Sequence, residues 1–425
     1  MDEIMKRLLA TLLAAAACLT AGAQTYNVLD ILRSDRRLQS ACEGPYRFDD
    51  AVMTAAPKGY KPFYISHYGR HGSRYAWNAG TYTTIKKVLD AAASVGALTP
   101  RGERLLSDFT AFYEVPLMNA GDLVELGAEQ HKGIARIMVQ SFPEVFADGG
   151  KVFAMSSTSQ RAIVSMDAFC VSLQKCAPKV DIEGNSLHTN MLIVNPGSAP
   201  REIRQQRGSA PLPETLDEFR SRKFVYDSVL DRLFTDRSFL EELGGRTQFL
   251  SELFTLWRGY HNYCDGDWME DIFTPDEVLA YWEVDNYDCY AGHGSQRYQQ
   301  IPLVLDIVDR ADEAIAGSGY KAHLRFGHDT VVNAVCPLLN INGCGFMPEK
   351  ADDVKYWFQN YDTPMAANIQ FVLYKSKKDP RILFKLLRNG HEATLPQLTP
   401  VSGPYYAWDD FRAWVKELDA AHPAK

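Results

Sequence analysis

Phe63-Tyr64-Ile65-Ser66-His67-Tyr68-Gly69-Arg70-His71-Gly72-Ser73-Arg74 is the stretch from which the rest of the chain can be read. Phe63 to Tyr68 is aromatic and β-branched, the composition of a buried strand. A compact polar motif follows it. In open α/β sheets ligands bind beyond the carboxyl ends of strands, so Arg70, His71 and Arg74 are expected at a ligand site. Two guanidinium groups suit an anion because each donates two parallel hydrogen bonds and keeps its charge. Imidazole, neutral near pH 7, suits nucleophilic attack on phosphorus. Gly72 is expected to provide a turn that other residues resist.

Two further segments repeat the arrangement of a strand followed by a polar turn. Val152 to Met155 reads as a strand; Ser156-Ser157-Thr158-Ser159-Gln160-Arg161 follows and opens a helix-like run from Ala162 to Leu173. A polar turn at a helix start presents free N–H groups to an anion, which makes Arg161 a third candidate clamp; a solvated helix cap is the competing reading. Ala322 to Phe326 reads as another strand, and Gly327-His328-Asp329-Thr330 follows it. His328 beside Asp329 offers an anion contact and a proton donor; the bland alternatives are a metal-ligand pair or a helix N-cap at Asp329.

Further out, Asn368–Tyr374 and Ile382–Leu387 read as antiparallel strands around a turn at Lys377–Pro380. Ile134, Ile137 and Met138 recur at helical spacing, as do Val304, Ile307, Val308, Ala311 and Ile315, and Phe411, Trp414, Val415 and Leu418. Strands mixed with helices give an α/β class. From about Asn195 to Gly319 the pattern changes: a Pro/Gly/Arg-rich opening leads into helical, aromatic-rich sequence with no convincing strand. The expected organisation is an α/β core from 24–195 and 320–425, interrupted by a mostly helical insertion, or cap, at 196–319.

The chain has 425 residues with 45 Lys and Arg against 53 Asp and Glu, a formal charge of −8. The 46% hydrophobic content is that of a globular protein. The acidic balance argues against a nucleic-acid partner, which requires a basic face, and at first sight against any anionic ligand. Lys6-Arg7, the apolar run Leu8–Leu19 and Ala21-Gly22-Ala23 read as an export signal over residues 1–23, with Gln24 as the expected mature start and Met5 as an alternative initiator. The mature protein is expected to be exported, periplasmic or secreted, with no transmembrane segment; a form lipid-anchored at Cys18 is the alternative. Seven cysteines follow residue 23, an odd number. Cys336/Cys344 and Cys170/Cys176 are close enough in sequence to pair.

The Arg70–Arg74 pentad, Arg161 with its helix, and Gly327-His328-Asp329-Thr330 resemble the motifs of the histidine acid phosphatases, the branch of phytases, exported acid phosphatases and multiple inositol polyphosphate phosphatases. Gly121-Asp122-Leu123-Val124-Glu125-Leu126-Gly127, followed by Gln130, resembles that family's Gly-x-Leu-Thr-x-x-Gly-x-x-Gln segment, with Val124 in place of Thr. The resemblance implies a three-layer α/β/α core with a mixed central sheet and a helical cap. It implies His71 as nucleophile, Arg70, Arg74, Arg161 and His328 as phosphate ligands, Asp329 as proton donor, and no metal or other cofactor. The implied partner is a small phosphate ester, foremost an inositol polyphosphate such as phytate. Arg-His-Gly-Ser-Arg-Tyr is closer to the inositol polyphosphate phosphatases, whereas His-Asp-Thr is the phytase and acid phosphatase form, so the two motifs point to different subgroups. A broad acid or sugar phosphatase is the alternative within the class.

Outside it, Gly292-His293-Gly294-Ser295 lacks the Gly-x-Ser-x-Gly spacing of a serine hydrolase, and a non-catalytic phosphate-binding surface module would not need both His71 and Asp329. Arg201, Arg204, Arg207 and Lys223 are candidates for further substrate phosphates, against a solvated basic loop. Tyr75 and Trp77 are candidates for the pocket mouth.

Overall fold

The computed structural model describes residues 28–224 and 227–425. The export signal read over residues 1–23 and Cys18 lie outside the described residues.

Eight strands form one mixed sheet. They are β1 (Tyr60–Arg70), β2 (Gly150–Ser156), β3 (Val180–Asn185), β4 (Tyr320–Gly327), β5 (Asn368–Ser376), β6 (Leu383–Arg388), β7 (His391–Ala393) and β8 (Tyr405–Ala407). The order is β3-β2-β4-β1-β5-β6-β7, with β8 also paired to β6. β3, β2, β4 and β1 run parallel; β5 turns antiparallel against β1, and the following pairs are antiparallel too. β1 is central and buried on both faces beyond its first residues, which is why it reads as a continuous apolar run rather than an alternating one.

The longer helices are α1 (Ala79–Ser94), α2 (Pro100–Phe112), α3 (Glu125–Ser141), α4 (Gln160–Cys176), α5 (Leu216–Lys223), α6 (Gly245–Gly259), α7 (Pro275–Cys289), α8 (Ile301–Ile315), α9 (Asp329–Leu338) and α10 (Trp408–Ala421). Alternation along the strands sends residues to two faces. Tyr64 and Tyr68 of β1 and Ile369, Phe371 and Leu373 of β5 pack under α8, α9 and α10, against Ile301, Val304, Val335 and Phe411. Ile65 of β1 and Ala322, Leu324 and Phe326 of β4 pack on the other face against Ile134 and Met138 of α3 and Phe169 and Leu173 of α4. The result is the expected three-layer α/β/α core with a mixed sheet.

The boundary between core and cap falls elsewhere than the sequence pattern suggested. α8, assigned to the insertion, packs on the sheet. Its stripe of Val304, Ile307, Val308 and Ala311 covers the strands, and its buried Asp306 pairs with Arg325 of β4 at 2.5 Å. Conversely α1 and α2, assigned to the core, pack with α6 and α7. Tyr82, Ile85, Leu105 and Phe109 share one apolar cluster with Leu250, Leu253, Trp257 and Tyr281. The helical unit is therefore assembled from two separated segments. An amphipathic stripe tells that a helix is covered, but not by what.

The seven described cysteines are all free. Cys170 and Cys176 lie six residues apart on α4, which points them to different sides of a helix with 3.6 residues per turn. Among the described residues no helix is long and apolar enough to cross a membrane.

Arg325 is fully buried and donates to Asp306 Oδ2 from Nε (2.7 Å) and to Ser66 Oγ from Nη1 (2.9 Å). Removing one partner of a buried pair leaves an uncompensated charge. Asp306→Ala is therefore expected to lower the unfolding free energy in denaturant titrations by about 3–5 kcal/mol. A loss under about 1 kcal/mol would mean that α8 is not tied to the sheet through this pair.

Candidate active site

Three neighbouring parallel strands, β2, β4 and β1, end at one level. The amide of His71 donates to Gly327 O (2.9 Å), and that of Ser157 to Phe326 O (2.9 Å). The three polar turns found in the sequence thus leave the same edge of the sheet, where the topology places a ligand.

Arg70 is the last residue of β1 and is fully buried. Its Nη1 donates to the carbonyls of Cys42 and Thr363 (3.0 Å to Thr363), and its Nη2 lies 3.2 Å from Asp329 Oδ2. Arg74 donates from Nη1 to its neighbour's carbonyl, Tyr75 O (2.9 Å), and from Nη2 to Glu43 Oε1 (3.0 Å). Arg161, in the first turn of α4, makes only a long contact from Nη1 to Gly121 O (3.4 Å), and its Nε is buried without a partner. Burial, then Arg74, lowers its pKa to about 10. The Nε of Arg70 and of Arg74 and the Nη2 of Arg70 are likewise buried without a hydrogen-bond partner, but Arg161 makes the fewest hydrogen bonds of the three among the described residues.

His71 is buried, and its Nδ1–H donates to Gly72 O (2.9 Å), which fixes the tautomer and leaves the Nε2 lone pair free. Burial, then Arg70, Arg74, Arg161 and His328, holds its pKa well below the ordinary value, so it stays neutral in acid. His328 caps α9; its ring lies 5.6 Å from that of His71, centre to centre, and its Nε2 shares a hydrogen bond with Ser157 Oγ (2.9 Å). Burial, then Arg161, brings its pKa down to about 4. Asp329 opens α9. Burial pushes its carboxyl up, but Arg70 and Arg74, with His293 and His328, outweigh this and hold it well below the usual carboxylate range.

The pentad owes its shape to contacts rather than to an unusual backbone angle. Gly72 does not have a positive φ; the expected turn role gives way to close packing. A Cβ at Gly72 would sit 2.3 Å from Gly127 O, and one at Gly127 would sit 2.3 Å from Ser73 O. The glycine of the pentad and the glycine ending the Gly121–Gly127 segment are therefore two halves of one backbone contact. Gln130 completes it, accepting from Ser73 N (2.9 Å) and donating to Ser73 Oγ (2.9 Å). Ser73 Oγ in turn donates to Asn262 Oδ1 (2.7 Å).

The structure thus brings Arg70, His71, Arg74, Arg161, His328 and Asp329 together. Tyr75 lies close by, its ring 4.8 Å from that of Tyr263, while Trp77 is 60% exposed. Beside α9 opens a cavity of about 510 Å³ lined by Arg201, Arg204, Arg207, Gly292, His293 and Thr330, among others. Arg207 is committed to Asp419 (2.8 Å) and to His422 O. Arg204 donates to Gly197 O (2.6 Å), and Arg201 has no ion pair among the described residues. Lys223 does not belong to this cavity: Glu283 and Asp352, each at 2.8 Å, hold it elsewhere.

Sequence reading missed Glu43, which sits against two of the arginines, and His293, whose Gly-His-Gly-Ser context was weighed only for serine chemistry. Ser295 is buried and donates to Ala291 O (2.6 Å). Two groups of potential metal-ligand atoms lie near the site, Cys42/Glu43/Asp329 and Cys42/Asp285/Cys289. Their carboxylates already face Arg74, Arg70 and Arg258, a setting that disfavours a cation.

No protein-family model matches the sequence, and no curated protein is similar to it. Several solved structures share the fold. A multiple inositol polyphosphate phosphatase from Bifidobacterium longum, in complex with inositol hexasulfate, is 19% identical with a TM-score of 0.70, over 89% of this chain and 97% of that one. A phytase from D. castellii is 17% identical with a TM-score of 0.64, over 93% and 86%. A phytase from Citrobacter braakii is 15% identical with a TM-score of 0.54, over 85% and 98%. The fold that the sequence motifs implied, that of the histidine acid phosphatases, is the fold the chain has.

The backbone contact at Gly72 gives a direct check. Gly72→Ala is expected to cost about 1–3 kcal/mol in stability, because the opposing atom is a main-chain carbonyl that has no rotamer to change. Gly208→Ala, where a Cβ meets open space, serves as the control. If both substitutions leave the melting temperature unchanged, the packing account of the pentad fails.

Proposed function

We propose that this protein is a histidine acid phosphatase: an exported phosphomonoesterase that works through a phosphohistidine, with inositol polyphosphates as its leading substrates. The observation that carries the reading is the buried neutral His71, its Nε2 free, set among Arg70, Arg74 and Arg161 with Asp329 opposite. The export part rests on the sequence of residues 1–23 alone.

In this reading Nε2 of His71 attacks phosphorus, the P–N bond forms and the P–O ester bond breaks. Asp329 gives its proton to the departing alkoxide. A water then attacks phosphorus, Asp329 takes a proton from it, the P–N bond breaks, and inorganic phosphate and neutral His71 are restored. The arginines stabilise charge on the equatorial oxygens in both steps. The field of Arg70 and Arg74 holds Asp329 ionised. A phosphate dianion bound between those arginines offsets their field, which raises the Asp329 pKa and allows it to enter the first step protonated.

Two observations favour inositol polyphosphates over a simple monophosphate. One is the cavity next to Asp329, large and basic, with Arg201 unpaired among the described residues. The other is the likeness in fold to the Bifidobacterium longum phosphatase solved with inositol hexasulfate. The subgroup stays with the motifs: the pentad and Tyr75 side with the inositol polyphosphate phosphatases, Asp329-Thr330 with the phytases.

The chemistry is tested by leaving group. His71→Ala is expected to abolish release of phosphate from every ester. Asp329→Asn is expected to slow alkyl phosphates by about 10²–10⁴ but p-nitrophenyl phosphate far less, since nitrophenolate leaves without a proton. Equal losses on both substrates would remove Asp329 from the role of acid, and an active His71→Ala would refute the phosphohistidine.

Specificity is tested at the cavity. Arg201→Ala is expected to raise KM for phytate about tenfold, the effect of one lost charge contact, and to leave p-nitrophenyl phosphate within about twofold. Equal effects on the two substrates, or none, would take Arg201 out of substrate binding.

A further inference from the structure

Glu43 lies 27 residues before Arg70 in sequence, in the short helical turn Ala41–Glu43. Its side chain is 11% exposed, and one of its oxygens, Oε1, stands 3.0 Å from Arg74 Nη2 and 3.8 Å from Arg70 Nη2. Burial works against its charge, but Arg74 and Arg70, with Arg258, outweigh it and keep the carboxylate ionised. The turn that carries it is fastened to the pentad by its backbone. Cys42 O accepts from Arg70 Nη1. Glu43 O accepts from Asn262 Nδ2 (2.8 Å), whose Oδ1 takes the hydrogen bond of Ser73 Oγ (2.7 Å). Gly44 O accepts from Met365 N (2.8 Å). A buried carboxylate so anchored is a fixed part of the phosphate site, not a passing contact.

Charge arithmetic suggests what it does. Arg70, Arg74 and Arg161 bring three positive charges; Glu43 and Asp329 bring two negative ones, so 3 − 2 leaves one. Arg258 pairs with Asp285 (2.5 Å), whose carboxyl burial pushes up to about 6, so the pair is neutral above that pH. His71 and His328 are neutral. Without Glu43 the same pocket carries two positive charges and holds a phosphate dianion more tightly. Without its acceptor oxygen, Arg74 loses the group that aims its Nη2.

We propose that Glu43 is a positioning residue of the phosphate site: its carboxylate aims Arg74, and its charge, 3.0 Å from Arg74 and 3.8 Å from Arg70, keeps the clamp from retaining product phosphate. The proposal rests on the phosphatase reading given above. It separates into two parts that different substitutions address. Glu43→Gln keeps an acceptor for Arg74 and removes the charge. Glu43→Ala removes both. Glu43→Asp keeps the charge and shortens the reach.

The experiment is calorimetric binding of inorganic phosphate to the full chain, with kcat and KM for p-nitrophenyl phosphate measured alongside. Glu43→Gln is expected to bind phosphate at least about tenfold more tightly than wild type, the size expected of one removed charge a few ångströms away, with kcat and KM falling together. Glu43→Ala is expected to bind phosphate more weakly than Glu43→Gln. Glu43→Asp is expected to bind no more tightly than wild type. A folded Glu43→Gln that binds phosphate as wild type does, or more weakly, overturns the charge role. A Glu43→Ala equal to Glu43→Gln overturns the aiming role. Should Glu43→Gln not fold, tightened binding in Glu43→Asp would overturn the charge role by itself. The binding measurement needs no turnover, so a wild type that binds phosphate yet hydrolyses no ester refutes the phosphatase reading and leaves the Glu43 test intact. A wild type that binds no phosphate at millimolar concentration refutes both.

Discussion

Burying guanidinium groups side by side is the constraint around which the site is built. Arginine does not shed its proton to escape burial, so each charge needs compensation from the protein or from a ligand. Arg70, with no exposed surface, has two carbonyls and Asp329; Arg74 has Glu43; Arg258, just behind, has Asp285. Arg161 alone of the three clamp residues is left with a single long carbonyl contact, and burial has already brought its pKa down. The site is thus held together by its carboxylates and left incomplete at one arginine. In the proposed function the phosphate is the partner that Arg161 lacks among the described residues. The neutrality of His71 comes from the same field, since the arginines that attract a phosphate also oppose a proton on the imidazole.

Much of this was legible in the sequence, for a local reason. Arg70, His71 and Arg74 follow a strand directly, and so do Ser157 with Arg161 and His328 with Asp329. A strand end and its next few residues are fixed by short-range pattern, and parallel neighbours place their ends together. The pair Gly72 and Gly127 shows a middle case. Both glycines stand in motifs that the sequence displays, but their reason, one main chain pressed on another at 2.3 Å from any Cβ, appears only in three dimensions. Glu43 shows the limit. Nothing in Cys-Glu-Gly-Pro marks an acidic residue destined for burial, because its partners Arg70 and Arg74 lie about thirty residues away and are brought to it by the fold. The helices taught the same lesson in reverse. The stripe on α8 was plain, yet it faces the sheet; residues 79–112, placed with the core by the sequence division, form α1 and α2, which face α6 and α7. Periodicity gives the width of a buried face and not the identity of its neighbour.

The net charge of −8 loses its first meaning in this light. It counts every exposed carboxylate equally with the few groups that line the pocket. Long-range capture of a polyanion along a surface depends on the whole sum; binding of a small anion depends on the few charges within several ångströms, which salt and distance do not screen. In the proposed reading, an acidic chain with a basic pocket disfavours large anionic polymers and can still hold a small phosphate at His71.

The cavity beside α9 completes that division. The groups assigned to the reacting phosphate in the proposed function stand on strand ends and helix starts that are buried and braced from several sides. Arg201 and Arg204 instead lie in an irregular segment, Arg204 tied by a backbone carbonyl and Arg201 by no ion pair among the described residues. Rigid elements suit the proposed reaction, whose transition state requires fixed donors; adaptable ones suit recognition of the remainder of a proposed polyphosphate substrate. Specificity can then change by altering residues 195–207 while the Arg70–Arg74 turn, locked by Gly72 and Gly127, keeps its geometry.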